Sequence, residues 1–202
     1  MDPSHAVAEI RDRETLSEGA TPWVCATTDF LSRAVPWRSF RSRDGQRHYS
    51  GTYWSATNRD HVIYESRLEL ARLMLADYDT TVRHVIAQPF LLRARVDRRM
   101  RRHVPDFLLF TGTVPTVVDV KPRQRLEVDK IRFTLDWTRA LVESRGWRYE
   151  VCGDWPEGLL ANVRLLAGFR NPDRFDLDLL KAIEQQSSSG HDSGPGSRPR
   201  RR

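Results

Sequence analysis

The apolar positions in the middle of the chain follow first a helical and then an extended spacing. Over residues 64–76 they recur at steps of four, three and four, which is one face of a helix. These positions are Tyr64, Leu68, Ala71 and Leu75. Three extended runs follow, over residues 82–96, 101–110 and 114–121, and the last is rich in β-branched valine. The pattern predicts a helix followed by three strands.

Helical spacing returns over residues 128–142, and Gly146 is placed to end this second helix. A short strand over 147–152 comes next, followed by two helices over 156–169 and 172–186. Because helices and strands are interspersed, the sequence predicts an α/β fold. Its core order is helix, three strands, helix and strand, with a mixed central sheet.

The two ends of the chain differ from the middle in composition. The first 20 residues are polar and lack a clear period, and the last 16 are Ser, Gly, Pro and Arg in low complexity. We expect a partly disordered N-terminal arm over 1–36, one folded domain over 37–170, a C-terminal helix over 171–186 and a disordered basic tail over 187–202.

Charge and cysteine content narrow the function classes. The 202 residues carry 33 Lys and Arg against 27 Asp and Glu, a formal charge of +6 that suits a polyanionic partner. Cys25 and Cys152 lie far apart, and no two histidines have the spacing of a zinc site. The chain starts without the pattern of a signal peptide and has no run of 18 apolar residues. We therefore expect a soluble cytoplasmic protein that contacts no membrane.

Charged residues stand where two of the predicted strands begin or end. Asp106 follows Pro105 at the head of an apolar run, and Asp119 and Lys121 close the next strand. Side chains two residues apart on a strand share a face, so Asp119 and Lys121 project together. Two carboxylates and a lysine suit Mg²⁺, which prefers oxygen ligands. Taken singly, the Pro-Asp pair is commonly a turn and the Asp-x-Lys a solvated strand face.

A third acidic group is expected from the first core helix. Glu65 and Glu69 are four residues apart and so lie on one face of that helix. The alternative is that either glutamate forms a surface ion pair with Arg67 or Arg72.

Four short motifs in this order resemble the TnsA-like endonuclease subunit of heteromeric cut-and-paste transposases, a branch of the PD-(D/E)XK nuclease superfamily. The motifs are Tyr64-Glu65-Ser66-Arg67-Leu68-Glu69, Gln88-Pro89-Phe90, Val104-Pro105-Asp106-Phe107 and Asp119-Val120-Lys121-Pro122. The resemblance covers roughly residues 37 to 169. It implies a restriction-endonuclease-like α/β core for the domain over 37–170.

The resemblance also implies roles for particular residues. The implied metal ligands, for Mg²⁺ or Mn²⁺, are Asp106, Asp119 and Glu69. Glu65 is the reserve for Glu69, because the Ser-x-x-Glu of the family's helix falls on Ser66 to Glu69. Lys121 would orient or activate the attacking water, and Gln88 would lie at the edge of the site. Whether one ion or two take part stays open.

Two arginine-rich runs are the expected contacts with double-stranded DNA. The first comprises Arg33, Arg38, Arg41, Arg43 and Arg47, and the second comprises Arg93, Arg95, Arg98, Arg99, Arg101 and Arg102. Six arginines within ten residues, countered only by Asp97, would repel one another without an anion nearby. The alternative for the second run is a solvated hairpin.

The expected function is metal-dependent cleavage of one DNA strand at transposon ends. The resemblance implies an integrase-like transposase as the partner that cuts and joins the other strand, and an ATP-using regulator as a further partner. Two alternatives stay open: a stand-alone restriction or repair nuclease of the same superfamily, and a non-catalytic DNA-binding assembly module.

Overall fold

The computed structural model describes residues 3–37, 49–170 and 175–189 and shows a mixed α/β fold. The strands are β1 (Val7–Asp12), β2 (Glu18–Pro22), β3 (Ala34–Val35), β4 (Gly51–Ser55), β5 (Asp60–Tyr64), β6 (Val82–Ala87), β7 (Leu91–Val96), β8 (Arg99–His103), β9 (Phe107–Thr111), β10 (Thr116–Val120) and β11 (Arg148–Cys152). The helices are α1 (Thr28–Ser32), α2 (Arg67–Tyr78), α3 (Arg123–Leu126), α4 (Asp129–Glu143), α5 (Glu157–Ala167) and α6 (Leu177–Ser189). The chain divides into a larger unit, Met1–Arg164, and a smaller unit, Leu165–Arg202.

A mixed sheet of order β11-β10-β9-β6 forms the centre of the larger unit. β10 pairs with β11 in parallel, and the other two pairs are antiparallel. Val117 of β10 packs in one core with residues of α4, while Val118 packs in a second core with residues of α2. Both faces of β10 are therefore covered, which explains its nearly continuous apolar sequence. The predicted α/β class and mixed sheet are confirmed.

Two of the three predicted extended runs are each divided into two strands. The run over 82–96 breaks at Gln88, which has a positive φ of 47°, and at Pro89, which has no N–H to donate to a ladder. The run over 101–110 breaks at Val104 to Asp106, around Pro105. As a result, β7 and β8 leave the mixed sheet as a hairpin and join a second sheet.

The second sheet has the order β2-β1-β7-β8, with β3 paired to β1. Residues 7–35 are therefore largely structured, and the expectation of a partly disordered arm over 1–36 is wrong for this segment. Ala6, Ala8 and Ile10 alternate into the core with at most 1% exposure. Two of these three inward positions are alanine, so the apolar alternation was too weak to predict the strand.

An aromatic and guanidinium contact attaches the N-terminal segment to the end of α4. The indole Nε1–H of Trp23 donates to the Leu141 carbonyl oxygen at 2.7 Å. The guanidinium of Arg145 lies 4.7 Å from the Trp23 ring and 4.2 Å from the Trp147 ring, and it also donates to the Ala26 carbonyl. Burial lowers the pKa of Arg145. Cation–π contact with the two rings partly compensates for the hydration that the Arg145 guanidinium loses on burial.

The predicted helices after residue 122 are present with shifted bounds. α4 ends just before Gly146, whose φ of +71° is the left-handed conformation that glycine adopts most readily. α6 begins at Leu177 and continues to Ser189, beyond the predicted end at 186. The predicted tail lies outside the described residues from 190 onward. Within the described ranges, no helix combines the length and apolarity needed to cross a membrane.

Replacing Arg145 with Ala should lower the free energy of unfolding by about 1–2 kcal/mol, because two ring contacts are lost together. Urea unfolding measures the change. The matched control is Arg132→Ala, which removes an exposed ion pair on α4 and should stay within about 0.5 kcal/mol of the wild type. Equal midpoints for Arg145→Ala and wild type would contradict the proposed attachment.

Candidate active site

Asp106 lies between β8 and β9, and the backbone of β10 determines its position. Its N–H donates to the Val118 carbonyl at 3.0 Å. Its Oδ2 accepts from the Val120 N–H at 2.6 Å and from Lys121 Nζ at 2.8 Å. Its Oδ1 accepts no hydrogen bond from any of the described residues. One carboxylate oxygen of Asp106 is thus committed to the fold, and the other remains available.

Asp119 is completely buried, with 0% exposure. The Nε2 of His103 lies 2.9 Å from both of its carboxylate oxygens, and the Tyr149 hydroxyl donates to Oδ2 at 2.5 Å. Lys121 Nζ lies 3.7 Å from Oδ1. The ammonium of Lys121 is therefore placed between the carboxylates of Asp106 and Asp119, as the strand parity of Asp119 and Lys121 predicted.

The pKa values of these three groups are shifted by burial and by one another. Burial alone would raise the pKa of Asp119, but His103, Lys121 and Tyr149 together lower it below its ordinary value. Burial raises the pKa of Asp106, and the Asp119 charge adds to this, while Lys121 opposes it. Although burial opposes it, the nearby carboxylates raise the pKa of Lys121. Nζ of Lys121 therefore keeps its proton, and Asp119 is ionised.

Close backbone approach at the end of β11 helps to place Lys121. The N–H of Lys121 donates to the Cys152 carbonyl at 2.8 Å. A Cβ at Gly153 would overlap the Lys121 carbonyl oxygen, so only glycine fits there without a backbone shift.

Glu69 lies in the first turn of α2 and borders the candidate site. The Ser66 hydroxyl accepts from the Glu69 N–H at 3.1 Å, and Glu69 Oε2 accepts from the Glu65 N–H at 2.7 Å. This arrangement is close to a capping box, so the Ser-x-x-Glu motif has a local structural role. Burial, and then the Asp106 charge, raise the pKa of Glu69 to about 7. Glu69 therefore caps α2 and also lies close enough to Asp106 for the two charges to interact.

Gln88 follows β6 and hydrogen-bonds to both Glu65 and Asp106. Its Nε2 donates to Glu65 Oε1 at 2.5 Å, and its backbone N–H donates to the Asp106 carbonyl at 2.9 Å. Gln88 is buried. The structure therefore places it at the edge of the site, where the resemblance implies it.

A cavity of about 550 Å³ collects most of the expected site residues. Its walls include Trp37, Glu65, Glu69, Leu91, Arg102, His103, Val104, Asp106 and Lys121. The structure thus brings together Glu65, Glu69, Asp106 and Lys121. Asp119 is completely buried and is not part of the cavity wall.

The donor atoms around this cavity suit a hard divalent cation, which prefers carboxylate oxygen. Asp106 contributes an oxygen without a described partner, and Glu69 and Glu65 lie on the same cavity. Across the described ranges, no three His, Cys, Asp or Glu side chains already form a ligand group.

The second arginine run does not form one surface. In the β7–β8 hairpin, Arg93 pairs with Arg102 and Arg95 with Met100, while Arg101 and Arg99 pair with core-facing Ala94 and Val96. Strand alternation therefore separates Arg93, Arg95 and Arg102 from Arg99 and Arg101. Arg98 lies in the turn that joins β7 to β8.

Several arginines already have partners. Arg93 Nε lies 3.0 Å from Glu9 Oε1, and the Arg101 guanidinium lies 5.1 Å from the Phe133 ring. Nη1 of Arg33 lies 3.7 Å from Oδ2 of Asp12. In the first run Arg38, Arg41, Arg43 and Arg47 fall outside the described residues. Arg102 is the arginine of the second run that borders the cavity.

His103 and Tyr149 are site residues that the sequence did not reveal. His103 belongs to the arginine-rich run, and its spacing from other histidines only excluded a zinc site. Tyr149 follows α4 and faces the same side of the sheet as Asp119, because β11 pairs in parallel with Tyr149 opposite Val117. Only the register of this pairing brings Tyr149 to Asp119.

Glu69→Gln should stabilise the protein above pH 7 and have no effect below about pH 4.5. Since the folded-state pKa is about 7 against an ordinary value of 4.5, ionising Glu69 costs stability as pH rises through that window. We expect a gain of roughly 1–2 kcal/mol at pH 8, allowing for partial solvent screening. Thermal unfolding at pH 4.5 and pH 8 measures it.

The control is Glu127→Gln, an exposed glutamate in the turn before α4. It should change stability equally little at both pH values. A Glu69→Gln gain that is the same at pH 4.5 and pH 8 would show that ionisation of Glu69 is not the cause.

Comparison with known proteins adds no assignment to this geometry. Neither a family model nor a curated protein matches the chain. The link to TnsA-like nucleases therefore depends on the four short motifs, and the function depends on what the site can do.

Proposed function

We propose that this chain is a metal-dependent DNA endonuclease that hydrolyses a phosphodiester bond. The observation that carries the proposal is the Asp106–Lys121–Asp119 cluster, with Lys121 Nζ 2.8 Å from Asp106 and 3.7 Å from Asp119. The cluster stands beside a cavity that also contains Glu65 and Glu69. Acidic groups and a lysine at one cavity are the equipment for activating water against a phosphate.

The order of elements supports a restriction-endonuclease-like core. Within the mixed sheet, β6, β9 and β10 lie between α2 and α4 in the sequence, and β11 follows α4. With the β7–β8 hairpin set aside, this order supports the proposed arrangement of helix, three strands, helix and strand. The β7–β8 hairpin is an insertion between the first and second of these strands, and it supplies Arg102 and His103 to the cavity.

The roles of the acidic residues follow from their exposure to the cavity. Asp106 would be the central cation ligand through Oδ1, and Glu69 the second, with Glu65 in reserve. Asp119, whose oxygens are both hydrogen-bonded, would act on the site through the interaction of its charge with Lys121. A bound Mg²⁺ or Mn²⁺ would supply stabilisation for charge developing on the attacking and leaving oxygens.

Lys121 has the properties of a donor rather than of a base. The raised pKa keeps Nζ protonated at neutral pH, so it can donate hydrogen bonds but cannot take a proton from water. We assign it to orienting the attacking water or a phosphate oxygen at the cavity. The alternative in which Lys121 activates water by deprotonating it is disfavoured by the adjacent carboxylates.

DNA would approach along the face of the β7–β8 hairpin that carries Arg93, Arg95 and Arg102. Arg102 is exposed and borders the cavity, so it is positioned for a phosphate close to the reacting one. Arg93 already forms an ion pair with Glu9, so it is less available to bind a DNA phosphate. Arg99 and Arg101 face away and are not expected to contact the same duplex.

The narrower role is single-strand cleavage at transposon ends together with an integrase-like transposase, with an ATP-using regulator as a further partner. The four ordered motifs support this role over a stand-alone restriction or repair nuclease. Reconstitution with a transposase from the same gene neighbourhood would distinguish the two, because a stand-alone nuclease needs no such partner to cut.

A second candidate is a non-catalytic DNA-binding assembly module. The observation that favours it is the complete hydrogen bonding of Asp119, since a fully satisfied buried carboxylate can serve the fold alone. The cleavage assay below separates the two candidates.

Asp106→Asn should reduce Mg²⁺- or Mn²⁺-dependent nicking of supercoiled DNA on the order of 100-fold or more, with DNA affinity largely retained. The substitution keeps the side-chain shape and removes the charge that would bind the cation. Lys121→Ala and Asp119→Ala should also abolish nicking. The control Asp136→Asn changes an exposed carboxylate on α4 and should cut at the wild-type rate. Full activity of Asp106→Asn would refute the proposed site.

Arg102→Ala should weaken DNA binding and reduce the slope of log affinity against log salt by about one, as the loss of one phosphate contact requires. Fluorescence anisotropy at several salt concentrations measures both. Arg99→Ala is the matched control, because Arg99 lies on the same strand with the opposite orientation. If the two variants show the same slope, the hairpin face has been assigned wrongly.

A further inference from the structure

Asp119 is held by two residues that the expected machinery does not include. Tyr149 comes from β11 and His103 from β8, so the two contacts join the mixed sheet to the second sheet around one carboxylate. An ionised carboxylate can only accept hydrogen bonds. Hence the Tyr149 hydroxyl donates, and Nε2 of His103 carries the proton that points to Asp119.

Neither contact is needed to fill space. Tyr149 is 7% exposed, and its ring lies 5.0 Å from the Arg139 guanidinium, so its packing would survive without the hydroxyl. The His103 ring meets Trp137 edge-on, with centroids 6.3 Å apart. Both polar groups are nevertheless turned toward Asp119. Their hydrogen bonds fix the orientation of a side chain that has no contact with solvent.

The orientation of Asp119 affects Lys121. With both oxygens hydrogen-bonded by Tyr149 and His103, Asp119 stays 3.7 Å from Nζ, while Asp106 Oδ2 lies at 2.8 Å. If Asp119 lost these donors, its strongest remaining partner would be the Lys121 ammonium. Closer pairing with Asp119 would draw Nζ away from Asp106 and change the charge at the oxygen that faces the cavity.

We propose that Tyr149 and His103 are positioning residues, which hold Asp119 and, through it, Lys121 in the arrangement that lets Asp106 bind a divalent cation. The proposal depends on the nuclease function proposed above. Groups that orient the residues of a metal site through hydrogen bonds typically change metal affinity or activity by about 10–100-fold when removed.

Tyr149→Phe is the direct test, and Tyr53→Phe is its matched control. The Tyr53 hydroxyl, on β4, donates at 2.9 Å to Oδ2 of Asp77 on α2, another completely buried carboxylate, and neither residue is part of the cavity wall. Each variant removes one hydroxyl from one buried carboxylate. A general loss of stability should therefore be similar in both, and only Tyr149→Phe should affect the site.

The measurement is Mn²⁺ binding to the full chain without DNA, by titration calorimetry, together with nicking of supercoiled DNA. We expect Tyr149→Phe to weaken Mn²⁺ binding by about 10-fold or more and to slow nicking. Tyr53→Phe should bind Mn²⁺ as the wild type does. His103→Gln, whose amide can still donate, should retain more affinity than His103→Leu.

Three results would overturn the proposal. Wild-type affinity of Tyr149→Phe would show that the hydroxyl does not act on the site, while the nuclease function would stand. Equally weakened Mn²⁺ binding in Tyr149→Phe and Tyr53→Phe would show that the effect is a general loss of stability. A wild-type chain that neither binds Mn²⁺ nor nicks DNA would remove the nuclease function and this proposal together.

Discussion

The Lys121 ammonium lies between two carboxylates at the end of β10, and the surrounding structure depends on keeping these charges paired. Removing one member of such a buried group leaves an uncompensated charge, which costs several kcal/mol. The fold meets this constraint with backbone as well as side chains. Val120 donates to Asp106, Asp106 donates to Val118, and Lys121 donates to Cys152. β9, β10 and β11 are thus held in register by the same contacts that hold the charges.

The site combines groups whose ionisation the fold opposes. Burial raises the pKa values of Asp106 and Glu69, whereas Asp119 is kept ionised by its donors. Strongly perturbed pKa values cluster at functional sites, where burial and neighbouring charges are arranged to shift them. A divalent cation would relieve the repulsion between Asp106 and Glu69, which supports the proposed binding role.

The sequence predicted the parts of the site that local periodicity controls. Strand parity correctly placed Asp119 and Lys121 on one face, and the helix carrying Glu69 formed close to its predicted bounds. The sequence predicts Glu65 on the same helix face, but Glu65 precedes the Ser66 N-cap and lies outside the helix. The Ser-x-x-Glu motif predicts both a capping box and a site glutamate, because the two use the same spacing. Sequence alone could not choose between them.

Other features depend on long-range pairing and so could not be predicted from the sequence. The joining of β1 to β7 organises an N-terminal segment whose inward residues are small, and Tyr149 reaches Asp119 only through the β10–β11 register. Strand alternation divides the arginines of the β7–β8 hairpin between two faces, which their spacing in the sequence alone does not show. In each case the missing information was which strand is the neighbour.

Asp106 is the residue at which we propose that a divalent cation binds. Anomalous diffraction from crystals soaked in Mn²⁺ would locate the ion. We expect a peak at about 2.0–2.2 Å from Asp106 Oδ1, the usual distance for a small hard cation and a carboxylate oxygen. A peak elsewhere, or none at Mn²⁺ concentrations that support cleavage, would contradict it.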